Sequence, residues 1–337
     1  MNILLLRPVP SNERFGLGPF FRIEPLGMEY IAAALEADGH RVTIADLRFS
    51  RSAGHYLRTE RPALVGIAGM HALETDNVLA LAADVRRASP DVPIVIGGHT
   101  AAAFPDPFLA ADITAVVIDD GELAVPRLVR ALEQRAPLST LPGLVIKDPD
   151  GRPLRTSGDS GTLALDAVPK PSRRHVDAWR KQYACLAHRP VWLIETARGC
   201  PFRCSFCSIW QLHSRRVRER SIESVADDFA SVGDDIFVAD DLFWYHPARS
   251  FELVAELKRR KIRKRWLLVQ SRVDLVARHA SLLEAWRPIA RNFDIFSGSK
   301  RRPMTGSRAW SRMPPSIRPK PASPLRGDSA TASPATL

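Results

Sequence analysis

Twice along this 337-residue chain, short apolar and β-branched runs alternate with amphipathic helical stretches, and that alternation limits the possible folds more than any other feature. In the first half, residues 3–6 read as a buried strand. Residues 26–37 read as a helix with Met28, Ile31 and Leu35 on one side and Gly39 in the C′ position. Residues 42–45 and 64–68 are the next strands, and a helix over 74–87 carries the stripe Val78, Leu81, Ala82 and Val85. Residues 94–96 run into Gly97-Gly98-His99, and residues 115–118 into Asp119-Asp120-Gly121-Glu122, ahead of a helix with Leu128, Val129 and Leu132. Strands joined by crossover helices imply a doubly wound parallel sheet, whose ligands sit outside the carboxyl ends of the strands. Those ends are Gly69-Met70-His71, Gly97-Gly98-His99 and Gly121-Glu122. Glycine there either lets a bulky ligand approach the backbone or simply makes a tight turn. Gly16-Leu17-Gly18 is followed by Pro19 and opens no strand-to-helix turn, so a nicotinamide cofactor is unsupported. Residues 144–147 and 153–156, joined across Asp148-Pro149-Asp150-Gly151, read as a hairpin. Together with an irregular stretch to residue 190, containing a lone thiol at Cys185, they form an expected linker over 136–190.

The second alternation starts at Val191-Trp192-Leu193-Ile194. This strand leads into Glu195-Thr196-Ala197-Arg198-Gly199-Cys200-Pro201-Phe202-Arg203-Cys204-Ser205-Phe206-Cys207, which packs three of the four cysteines into eight residues, spaced C-x3-C-x2-C. Ser221 and Glu223 open a helix with Ile222, Val225 and Phe229 inward. A strand over 236–239 ends in Asp240-Asp241, a helix covers 250–260, and a strand over 266–269 ends in Gln270-Ser271-Arg272. A helix over 281–286 and a strand over 293–296 complete the pattern. Three clustered thiolates repel, and a bound metal relieves the repulsion; iron–sulfur clusters and zinc are the two usual occupants. Structural zinc commonly takes four ligands from two knuckles, and no second C-x2-C pair exists here. Three ligands on one loop suit a four-iron cluster with one iron left open, with zinc the second reading and a chance grouping the third.

Composition bounds the remaining classes. No run approaches the roughly 20 apolar residues of a membrane span, and the start Met1-Asn2-Ile3-Leu4-Leu5-Leu6-Arg7 reads as a first strand rather than a signal peptide. Clustered cysteines without disulfide partners point to a reducing compartment, the cytoplasm. The net charge of +11 suggests nucleic acid until it is located: residues 297–337 hold eight Lys/Arg against Asp328 alone, which leaves +4 for the rest. No nucleic-acid partner is therefore expected, and a basic zinc-and-RNA-binding module is disfavoured. The dense run Lys258–Arg265 reads as a solvated helix end, where cations meet the macrodipole. The last 41 residues carry seven prolines and eight serines and are expected to be disordered. Because the strand 293–296 leads into Ser297-Gly298-Ser299-Lys300-Arg301-Arg302, a lost reading frame or a truncated gene near Phe296 is the expectation, with the barrel stopping after about four strands.

C-x3-C-x2-C with Phe206 before the last cysteine resembles the radical S-adenosylmethionine (SAM) superfamily motif. The resemblance implies that Cys200, Cys204 and Cys207 hold a [4Fe-4S] cluster, that its open iron binds SAM, and that Phe206 flanks the adenine. In that family one electron from the cluster cleaves SAM to a 5′-deoxyadenosyl radical, and a flavodoxin or ferredoxin is the implied electron donor. Residues 191–296 then match a partial TIM-like barrel. Asp240, Asp241 and Arg272 lie at its strand ends as candidate SAM contacts, Arg272 toward the carboxylate. Residues 1–135 resemble the cobalamin-binding domain that precedes such barrels in one family, through Glu24-Pro25-Leu26-Gly27, Ile96-Gly97-Gly98 and Gly121-Glu122. That resemblance implies a corrin cradled by Gly69, Met70, His71, Gly97, Gly98, Gly121 and Glu122. The cobalt-histidine pattern D-x-H-x-x-G is missing, since Leu47, Arg48 and Phe49 follow Asp46, so cobalamin is expected without a lower axial histidine.

The function so implied is a cobalamin-dependent radical SAM enzyme, a methyltransferase acting on an unactivated carbon of a small molecule. Arg22-Ile23-Glu24-Pro25-Leu26-Gly27 and Cys207-Ser208-Ile209-Trp210 are similar to the hopanoid C-3 methylase branch. A membrane lipid is thus one expected substrate, which would bring the protein to the membrane surface, while related members act on pigments and natural products or close rings. The alternative from a different class is a non-catalytic remnant that binds cobalamin and a cluster without turnover.

Overall fold

The structure, a computed structural model, describes residues 1–10, 20–158 and 161–297. Gly16-Leu17-Gly18 and the basic tail beyond Ser297, with the frame-loss expectation attached to it, lie outside the described residues.

The apolar run Ile3-Leu4-Leu5-Leu6 forms the central strand Asn2–Arg7, flanked in parallel by Arg41–Asp46 and Leu64–Ala68. Ile94–Gly97 and Ala115–Val117 continue outward, so the parallel strands run in the order second, first, third, fourth, fifth. Both faces are covered. Leu4, Leu6, Val65, Ile67, Ile94 and Ile96 pack on one side, Ile3, Leu5, Leu64 and Val95 on the other, the period-2 alternation of a strand buried on both faces. Each such side chain contributes roughly 1.5–3 kcal/mol by leaving water, which is why these strands need no polar face. Strand order reverses between Asn2–Arg7 and its two neighbours, and ligands of open α/β sheets bind beyond the strand ends at such a point.

The hairpin Leu144–Lys147 and Pro153–Arg155 does not stand apart as part of a linker. It pairs antiparallel with Ala115–Val117 and extends the first sheet to seven strands. Three helices without a sequence signal, Ala53–Glu60, His99–Ala103 and Asp106–Leu109, also belong to this half; all are too short to show a helical period.

The second half builds a four-stranded parallel sheet, Trp192–Ile194, Asp235–Val238, Lys264–Gln270 and Ala290–Phe296. Its connections are the helices Ile222–Ser231, Pro247–Arg259 and the pair Val273–Arg278 and Ser281–Trp286. Ser221 caps the first of these through Ser224 N–H, as its sequence position suggested. The basic run 258–265 is not one helix end. The helix stops at Arg259, Lys261 takes a left-handed φ of 58°, and Lys264 already starts the next strand. Lys264 is buried and donates to the Val232 and Gly233 carbonyls, at 2.8 and 3.1 Å, while Arg265 grips Asp235 at 2.7 Å through two nitrogens. These cations close a corner between elements, a tertiary use that helical periodicity cannot reveal.

The two halves meet through buried charge. Glu24 Oε1 accepts from Leu193 N–H, and Arg173 donates to the Leu193 carbonyl at 2.8 Å and to Glu24 at 2.9 Å. Side chains from the first half's surroundings thus occupy the backbone groups of the second sheet's edge strand. Arg180 pairs with Glu24 and lies 3.7 Å over the Trp192 ring. Glu29, fully buried, has Arg173 at 3.5 Å and no hydrogen bond to either oxygen. Burial, with the charge of Glu24 adding to it, pushes the Glu29 carboxyl up to about 8. Since its charged form is disfavoured in the fold, this group's stabilisation is complete below the ordinary glutamate range and is lost as pH rises toward 8. Denaturation midpoints followed from about pH 5 to about pH 9 should decline in the natural protein and decline less in Glu29→Gln. Equal slopes would mean that Glu29 titrates alike in the folded and unfolded chains.

Candidate functional site

The strand Trp192–Ile194 ends at Glu195, and the chain then rises as Ala197–Arg198 and returns as Arg218–Glu219 in an antiparallel pair. All three clustered cysteines lie in the excursion between these short strands. Its entry is fixed by Asp240, at the end of the neighbouring strand. One oxygen accepts from Thr196 N–H at 2.6 Å and Ala197 N–H at 3.1 Å, the other from the Thr196 hydroxyl at 2.5 Å. Burial outweighs these bonds and pushes the Asp240 carboxyl up to about 7. With 1% of its surface exposed, Asp240 is engaged by the loop's own backbone. Asp241 accepts from Gly199 N–H at 2.8 Å. Gly199 has φ 98°, and a Cβ there would sit 2.1 Å from the Arg216 carbonyl oxygen, so the turn into Cys200 requires glycine.

Cys200, Cys204 and Cys207 are free and half-buried. A turn closes between the last two through Cys207 N–H to the Cys204 carbonyl at 3.1 Å, and Trp210 Nε1 donates to the same oxygen at 3.2 Å. Burial raises the Cys200 thiol. Among the described residues no three His, Cys, Asp or Glu side chains converge on a point fit for a single metal ion. A four-iron cluster makes a different demand, because each thiolate binds its own iron, and three thiols spread along one partly exposed loop fit that demand. Phe206 is 77% exposed beside them, and the buried Ser271 hydroxyl has no hydrogen-bond partner. Arg272 is engaged by Asp274 at 2.9 and 3.1 Å, lies 3.9 Å from the Phe202 ring centroid, and reaches Cys204 Sγ at 3.6 Å.

The other predicted surface lies at the first sheet's strand ends. Gly69 N–H donates to the Gly97 carbonyl at 2.6 Å, and the Thr100 and Ala101 N–H groups donate to the Gly69 carbonyl at 3.1 Å. Gly98 has φ 115°, and a Cβ would meet Met70 Sδ at 2.8 Å and the Gly69 oxygen at 3.0 Å. This glycine therefore lets the two strand ends touch each other. Gly97 has only ordinary neighbours, and Gly121 packs under Ile31. The apolar side chains on these segments point outward: Met70 is 42%, Leu73 66% and Phe104 62% exposed. Exposed His71 lies beside His99, whose pKa burial lowers, with the charge of His71 adding to the effect. Such an edge fits a broad ring with apolar faces. Arg48, in the place of the missing histidine, folds back onto Asp46 at 2.6 and 2.9 Å.

What the sequence reading missed is the join between these surfaces. Arg198, two residues before Cys200, donates to Asp120 at 2.8 Å, to Glu122 at 2.9 Å and to Glu195 at 2.8 and 3.1 Å. Arg218, on the returning strand, takes Asp120 as well. Burial alone would lower the Arg198 pKa, but Glu195 and Glu122 outweigh it and push it up. Burial likewise opposes the charge on Asp120, and the two arginines hold its carboxyl below the usual range. Glu122 is thus tied to the cysteine excursion. A second tie runs from His99 Nε2 to Ser208 Oγ at 2.7 Å, one residue beyond Cys207.

The family model described as B12 binding domain matches residues 20–129. In sequence the chain is 28% identical over 287 residues to the hopanoid C-3 methylase of Methylococcus capsulatus, covering 81% of this chain and 53% of that protein. The solved radical S-adenosylmethionine methyltransferase TsrM from Kitasatospora setae, with cobalamin and a [4Fe-4S] cluster bound, matches at TM-score 0.71 and 22% identity over 89% of this chain and 59% of that one. The cobalamin-dependent S-adenosylmethionine radical enzyme OxsB, with aqua-cobalamin and S-adenosylmethionine bound, matches at TM-score 0.69 and 17% identity, over 89% and 44%. The resemblance read from the motifs is borne out, and the mixed α/β fold is shared with these proteins. The chain spans about half the length of the curated relatives it matches. Among the described residues no helix is long and apolar enough to cross a membrane.

Arg198→Met strips Glu122 and Glu195 of their cation, leaves Asp120 to Arg218 alone, and should cost about 3–5 kcal/mol, read as a lower urea midpoint. Arg198→Met combined with Glu122→Gln should cost less than the two single changes summed. Additive costs would show that the two side chains do not share one buried pair.

Proposed function

We propose that this chain is the cobalamin- and cluster-binding part of a radical SAM enzyme that transfers a methyl group to an unactivated carbon. The observation that carries the reading is the Arg198 fork, which ties the cysteine excursion to the strand-end surface of a sheet of B12-binding type. When bound, the cluster with SAM supplies a carbon-centred radical and cobalamin a transferable methyl group.

In this reading Cys200, Cys204 and Cys207 hold the cluster, and Gly199 with Asp241 sets the turn that presents them. Met70, His71, Gly97, Gly98 and the exposed Leu73 and Phe104 carry the corrin. Phe206 is free to cover the adenine, and the unpartnered Ser271 hydroxyl is available to SAM. Asp240, Arg198 and Glu122 hold the parts in register without touching a ligand. The domains follow as 1–135 for the corrin and 191–296 for the cluster, with the hairpin of the intervening segment joined to the first sheet.

The substrate we propose is a small lipid-like or natural-product molecule. The hopanoid methylase relative favours a polycyclic lipid, hence work at a membrane surface on its cytoplasmic side. The four free cysteines suit a reducing compartment, where a flavodoxin- or ferredoxin-type donor would supply electrons.

Anaerobic reconstitution with iron, sulfide and hydroxocobalamin tests the proposal. Cys200→Ala, Cys204→Ala and Cys207→Ala should each abolish cluster uptake and SAM cleavage while leaving cobalamin binding intact. Cobalamin and cluster uptake without any 5′-deoxyadenosine would favour the alternative, a binding remnant, and zinc in place of iron and sulfide would refute the cluster.

A further inference from the structure

We infer that Arg272 tunes the cluster by donating a hydrogen bond to the Cys204 sulfur and is not the partner of the SAM carboxylate. The inference rests on the cluster reading above. Its starting point is the sharing of the guanidinium's donors. Nε and one terminal nitrogen face the Asp274 carboxylate at 2.9 and 3.1 Å, and the other terminal nitrogen faces Cys204 Sγ at 3.6 Å. Asp274 stands in the first turn of the helix Val273–Arg278 and is held from behind by Arg278 at 3.1 Å. The guanidinium is also seated on the Phe202 ring, 3.9 Å from its centroid, and Phe202 itself meets Tyr245 edge-on at 6.3 Å. Phe202 lies between Cys200 and Cys204, so the cation is packed into the very loop that carries the thiols.

A planar fork with one edge on a carboxylate and one corner on a sulfur has no second edge free for a bidentate carboxylate partner. A permanent cation donating to a ligand sulfur stabilises the more negative, reduced state and so raises the reduction potential. The process concerned is uptake of one electron by the cluster, delivered by an external low-potential donor. Lysine at position 272 would keep the charge but lacks the fork needed to hold Asp274 and reach the sulfur together.

The test is an EPR-monitored reductive titration of the reconstituted full chain with a europium(II) chelate, comparing the natural protein with Arg272→Gln, Arg272→Lys and Asp274→Asn. The midpoint should move to more negative potential in Arg272→Gln and less far in the same direction in Arg272→Lys, whereas Asp274→Asn, which keeps the cation and removes an anion, should not move it negative. SAM affinity, read from the change SAM causes in the reduced-cluster signal, should stay within about tenfold of the natural value. An unchanged midpoint in Arg272→Gln, with or without weakened SAM binding, overturns the inference, and weakened binding would return Arg272 to the carboxylate. If Arg272→Gln holds no cluster, the lysine and asparagine variants decide the matter. Natural protein that takes up no cluster overturns the cluster reading itself, and this inference with it.

Discussion

The guanidinium of Arg198 is the most heavily shared tie between the two halves of the candidate site. It bridges carboxylates that stand 76 and 78 residues earlier in the chain and one that stands 3 residues earlier. Charges withdrawn from water to this degree are costly unless fully paired, so the contact tolerates little displacement. Arg218 doubles it from the returning strand, and the excursion bearing Cys200, Cys204 and Cys207 is thereby gripped at both feet. The glycine turn at Gly199 and the buried Asp240 act on the same few residues. A loop that must present three thiols in one arrangement is thus fixed from three directions.

The strand-end surface is built on a different principle. Gly98 and Gly69 draw neighbouring strand ends together and leave Met70, Leu73 and Phe104 facing outward. His99 and Ser208 connect that surface to the residue after Cys207.

Much of this was legible in the sequence. Strands such as Leu64–Ala68 and Ile94–Gly97 are buried on both faces and announce themselves as continuous apolar runs. The cysteine spacing stood out for the same reason, since its meaning is local. Pairings across long separations were not legible. Acids and arginines at strand ends, such as Asp240, Glu122 and Arg272, suggest ligand contacts in such folds. Only the three-dimensional neighbours Thr196, Arg198 and Asp274 reveal that each already has a partner. The turn in the basic run around Lys261 is hidden for a related reason: a left-handed turn within a charged stretch has no periodic signature.

In the proposed function the strand-end surface and the cysteine excursion, tied by Arg198 and by His99 with Ser208, hold their two cofactors close to each other. The most direct test is the EPR spectrum of protein loaded with both cob(II)alamin and the reduced cluster. The two signals should interact, giving broadening or splitting absent from protein loaded with either alone, and Arg198→Met should weaken that interaction. A doubly loaded protein whose spectrum is the plain sum of two independent signals would contradict it.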